Sequence, residues 1–225
     1  MPIDRSNREY FVEDFLFKRN ERVPDVELCG EEKVLNSQIV ERGFEKICDT
    51  YNPRHKNALF SLCASTRPYL KSYKWMKLNE FFGTTCDLII ISNGGIIPME
   101  YMYCYPYLTY DAPHSEGGEF DELYKDKMKG RLNTFLQKFG KNWDTKIYLF
   151  NEGTRNWQAV LEMGLDYLIP APGFKTAHPE KVYLGFNEMR YPQLNYHILM
   201  EIARLTHTEL TLQPKDKIEV VMEDY

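Results

Sequence analysis

The chain has 225 residues, 43% of them hydrophobic, and a formal charge of −5. That supplies apolar material for one full core and excludes the global basic field of a general nucleic-acid binder. No run approaches the ~20 uncharged apolar residues of a membrane span, and five cysteines, odd in number and without a CxxC pair, exclude a disulfide framework and a zinc ribbon.

The N-terminus MPIDRSNREYF lacks a signal-peptide core, so a soluble, cytoplasmic protein is expected. Residues 1–30 are polar apart from an aromatic group at Tyr10, Phe11, Phe15 and Phe17. From Glu31 to Cys48, the spacing of Val40, Phe44 and Ile47 predicts an amphipathic helix, which Asn52-Pro53 ends. Residues 1–54 therefore read as a helical extension, and 55–225 as an α/β domain in one compact unit with it.

Ala58–Leu62 is a short apolar run bounded by turn signals, the pattern of a buried strand. Ser72 caps the next helix, in which Trp75, Leu78 and Phe82 share a face before Gly83. Cys86–Ile91 is a second buried strand. Asn93-Gly94-Gly95 reads as a tight turn needing positive φ, in the absence of GxGxxG or GxxxxGK[ST]. Phe120, Tyr124, Met128, Leu132, Phe135 and Phe139 trace a long helix, followed by strand, helix and strand at 147–150, 157–161 and 167–169. Leu194 to Leu205 gives a last helix, and Ile218–Met222 an edge strand. This alternation predicts a three-layer α/β/α fold with a mainly parallel sheet of four to five strands. CASTRPY, SNGG, NEGT and APGFKTAH then open on one edge, where such sheets bind ligands.

The five histidines show no metal-ligand spacing, and no cofactor or metal is expected. His114 and His178 fall on loops that overhang the candidate edge. Lys71, Lys74 and Lys77, with Arg67, form a basic cluster beside that edge, read as phosphate contacts. Lys125, Lys127, Lys129 and Arg131 form another, read as a solvated helix face. Cys63 follows a strand four residues before Arg67, and a nearby guanidinium favours the nucleophilic thiolate. A lone cysteine is otherwise a small buried hydrophobe. Asp111 and Glu100 are the candidate proton carriers, provided both fold back over the same edge.

Cys63-Ala-Ser-Thr-Arg67-Pro68-Tyr69-Leu-Lys-Ser72, Ile97-Pro98-Met-Glu100, Tyr105-Pro106 and Tyr110-Asp111-Ala-Pro113 resemble the central domain of archaeosine synthase. That family shows Pro-Cys-x3-Lys-Pro-Tyr-x2-Ser-x2-His, then Val-Pro-x-Glu and Tyr-Pro-x3-Tyr-Asp-x-Pro. Leu62, Arg67 and Trp75 stand where it has proline, lysine and histidine. The resemblance implies an enzyme that joins an amine, such as free lysine, to the nitrile of 7-cyano-7-deazaguanine in tRNA or modified DNA. In that reading Cys63, Asp111 and Glu100 are catalytic, and Arg67, Tyr69, Ser72, Asn93 and Tyr110 bind substrate, Tyr69 against the base. The family's transglycosylase-like and RNA-binding domains do not fit in this length, which implies a separate partner chain, a free base or a DNA substrate. A looser similarity, of the strand and its CASTRPY loop, is to uracil-DNA glycosylases, and implies their small α/β fold and, as the alternative function, nucleobase hydrolysis. A third reading is a non-catalytic subunit that holds modified nucleic acid.

Overall fold

The structure, a computed structural model, describes residues 16–112, 118–174 and 190–212. Tyr10, Phe11, Phe15, His114, His178 and the expected strand at 218–222 lie outside the described residues.

A five-stranded sheet forms the centre, in the order β3-β2-β1-β4-β5. Its strands are β1 (Asn57–Leu62), β2 (Cys86–Ser92), β3 (Gly95–Pro98), β4 (Thr145–Leu149) and β5 (Leu168–Ile169). β1 pairs in parallel with β2 and β4, β5 pairs in parallel with β4, and β3 returns antiparallel on β2. Every residue of β2 is buried, as its unbroken CDLIIIS run requires of a strand covered on both faces. The helices are α1 (Glu31–Leu35), α2 (Gln38–Thr50), α3 (Tyr73–Phe82), α4 (Asp121–Phe139), α5 (Arg155–Glu162) and α6 (Tyr196–Thr206). The three-layer α/β/α expectation is met.

Phe60 of β1 turns its ring to Phe135 of α4 and to Trp143, and stacks on Tyr148 at 4.9 Å, so α4 covers this face. α2 lies with it: Glu41 accepts from Arg131 at 2.7 Å, and Gly43 leaves room for Tyr107, whose hydroxyl would stand 2.7 Å from a Cβ there. On the opposite face Asn57 donates to the carbonyls of Thr85, after α3, and Thr206, in α6.

Two expectations change. The helix read from Glu31 to Cys48 is two helices, separated by Asn36 and Ser37. Ile96-Ile97-Pro98, read as loop, is an edge strand, the position in a sheet where proline is tolerated. Separately, Leu28, Val34, Val40 and Ile47 are fully buried in the same hydrophobic core as the sheet.

Candidate active site

β1 and β4 are neighbours although the chain leaves them for opposite sides of the sheet, β1 towards β2 and β4 towards β5. Between their carboxyl ends lies the topological switch point, where open α/β sheets form a crevice. Cys63 stands on one lip, its N–H extending the ladder to the Ile91 carbonyl at 2.8 Å. Asn151 stands on the other, with a buried side-chain oxygen that has no hydrogen-bond partner among the described residues.

The Cys63 side chain is half-buried. Among the described residues, five titratable groups lie close enough to act on it electrostatically: Arg67, Tyr69 and Tyr110 from loops, Lys74 from α3 and Tyr124 from α4. Arg67 lies 4.3 Å over the Tyr69 ring and 4.6 Å over that of Tyr110, and donates to the Ala64 carbonyl. The two phenols share a 2.5 Å hydrogen bond. Burial pushes both tyrosines, and Tyr124, above the usual phenol range, so all three are neutral hydrogen-bonding groups at neutral pH. Tyr124 donates to the Asn156 side-chain oxygen at 2.6 Å. Behind it Arg155 pairs with Glu31 at 3.1 Å and with Asp121.

Lys74, in the basic cluster that the sequence assigns to phosphate contact, is buried. Its ammonium donates to the Leu62 carbonyl at 2.6 Å, and the Trp75 indole donates to the same oxygen at 3.0 Å. Burial pushes Lys74 down to about 8, with Cys63 working the other way. Neither Lys74 nor Arg67 has a carboxylate partner among the described residues, whereas Lys77 pairs with Glu80. The cluster is therefore not a set of free phosphate contacts. The second basic cluster is spent on Glu162 and Glu41.

The structure brings Cys63, Arg67, Tyr69 and Tyr110 together. Tyr69 does not present its ring to a ligand: it is fully buried and lies under Arg67. Ser72 accepts the Trp75 N–H and caps α3. Asn93 is buried and contacts Glu31 and the Ala112 carbonyl through its amide. Asp111 is half-buried, its backbone bonded to Leu28 and Gly30. Glu100 does not join them. β3 runs back along β2, so Glu100 emerges at the amino edge and pairs with Arg54, just before β1, at 3.5 Å. The proviso that both carboxylates cover one edge fails for it. Two surface grooves, lined by Val23, Lys33 and Ile39 and by Leu136, Lys146 and Tyr148, include neither Cys63 nor Arg67.

Sequence reasoning placed Lys74 only in a basic cluster and missed its burial; it missed Asn151, and Tyr124 as a site residue. A signal for Lys74 existed, since it lies four residues before Leu78 and eight before Phe82, on the helix's apolar stripe.

A family described as a domain of unknown function (DUF5591) matches residues 40–166, more than half of the chain. The chain belongs to that family. The matched span holds Cys63 and the groups that act on it. No curated protein matches the chain. Among solved structures, the crystal structure of AF0587, a protein of unknown function, is similar over 76% of this chain and 51% of that one, at 15% identity and a TM-score of 0.47. The chain thus spans about half the length of that protein.

Proposed function

We propose that this member of the family is an archaeosine synthase-like transferase, in which Cys63 adds to the nitrile of a 7-cyano-7-deazaguanine and an amine then displaces the sulfur. The observation that carries the reading is a half-buried thiol at the switch point, near two cations that lack carboxylate partners among the described residues. Such surroundings stabilise negative charge that develops as the sulfur attacks or leaves.

The thiol adds across the carbon–nitrogen triple bond: an S–C bond forms and the nitrogen takes the proton, giving a thioimidate. The amine attacks the same carbon, the C–S bond breaks, and an amidine and the free thiol remain. No cofactor is consumed. Asp111 is the carboxylate assigned to proton transfer, and Asn151 offers an acceptor to a base N–H. Free lysine is the proposed amine, and the base is carried in tRNA or DNA, presented by a separate transglycosylase or RNA-binding chain.

The test is incubation with 7-cyano-7-deazaguanine as free base, in tRNA and in DNA, with labelled lysine, read by mass spectrometry. The expected product is a lysine amidine, lowered at least a hundredfold in Cys63→Ala with the fold intact. Release of free base would mark a nucleobase hydrolase instead, and binding without turnover an accessory subunit. An unchanged rate in Cys63→Ala would remove the covalent route.

A further inference from the structure

Cys63 and Lys74 come from different elements, and among the described residues Cys63 is the one titratable group that acts on Lys74. The reverse is not true, because Arg67, Tyr69, Tyr110 and Tyr124 also act on Cys63. Of the five, the phenols are held neutral by burial and the guanidinium does not give up its proton. Lys74 is the cation near the thiol on which no other titratable group among the described residues acts. Its stem is enclosed, only 4% of the residue being exposed, and the Leu62 carbonyl holds its ammonium one residue from Cys63.

We infer that Lys74 is the charge partner of Cys63: its ammonium, fixed on the Leu62 carbonyl, stabilises the thiolate that forms when the thiol loses its proton to water. The S–H bond breaks, water carries the proton away, and no further reactant is needed. Lys74 is thus a positioning residue that acts through Cys63 and answers an electrophile of any kind. The inference rests on Cys63 being the reactive thiol of the preceding reading, without depending on the nitrile-bearing base.

The experiment therefore uses iodoacetamide on the full chain, with carboxamidomethylation of the Cys63 peptide followed by mass spectrometry at pH 7.5. The S–C bond forms as iodide leaves. Lys74→Gln keeps a donor for the Leu62 carbonyl and loses the charge, whereas Lys74→Arg keeps both. The expected result is at least tenfold slower alkylation in Lys74→Gln and a rate within threefold of the parent in Lys74→Arg. Alkylation of Lys74→Gln at the parent rate, or Lys74→Arg as slow as Lys74→Gln, overturns the inference. A reciprocal measurement covers a variant that misfolds. By linkage, Cys63→Ala must lower the pH at which the Lys74 ammonium titrates in nuclear magnetic resonance, and an unmoved titration overturns the inference equally. Lys74-dependent alkylation without any amidine product would leave this inference standing and remove the base chemistry. Amidine formation with Lys74-independent alkylation would do the reverse.

Discussion

Lys74 is costly to keep where it lies. Its folded value of about 8 is below the ordinary 10.5, so between these pH values the unfolded chain holds more protons than the folded one. Unfolding free energy therefore rises with pH across that window, and below it the buried charge costs on the order of 3 kcal/mol. Lys74→Met removes the cost while Trp75 still serves the Leu62 carbonyl. The variant should be more stable at pH 7 by about 2–3 kcal/mol, and its advantage should vanish by pH 10.5. Urea unfolding of the pair at both pH values checks this, and equal stability at pH 7 would show that the charge is not buried as described. A side chain that weakens the fold beside a thiol fits retention for chemistry.

The hairpin from β2 to β3 shows how a turn sets a site. Ser92 accepts the Gly94 N–H at 3.1 Å, Gly95 takes a φ of +122°, and the Asn93 carbonyl accepts from Arg131 at 3.2 Å. These bonds press Gly94 against Tyr110, whose Cε1 would be 2.9 Å from a Cβ at that position. Gly94→Ala must displace a fully enclosed ring that is bonded to Tyr69 and stacked under Arg67. The expected loss is about 1–3 kcal/mol in urea unfolding, together with altered Cys63 alkylation. The glycine pair was readable as a turn because few residues tolerate that φ. The return strand was not, because four residues ending in proline carry no periodicity, and pairing with β2 is what orders them.

Across the whole molecule the two edges of the sheet do different work. At the amino edge the buried Asp87 carboxylate accepts from the Arg54 and His55 backbone, from His55 Nδ1 at 2.8 Å and from Trp143 Nε1 at 2.7 Å. It thereby ties the entry of β1, the start of β2 and the approach to β4. Asp87→Ala strands several of these donors and should cost about 3–5 kcal/mol in thermal or urea unfolding. Asp87 is paired with Ala58, and Cys63 lies about 17 Å further along β1, so its alkylation rate at a temperature where the variant is folded should be unchanged. A changed rate would mean that the edges are coupled. The separation also explains the misplacement of Glu100: motif order put it near Cys63, and the antiparallel return of β3 carried it to Arg54.

The sequence by itself determined the alternation of buried strands and amphipathic helices, the common edge of the parallel strands, and Cys63 and Arg67 as residues on it. Those follow from hydrophobic pattern and turn chemistry, which are local. Tertiary packing alone decided that Tyr69 lies beneath Arg67 and that Glu100 sits at the far edge. Each depends on which distant segment covers a side chain, and neighbouring residues carry no record of that.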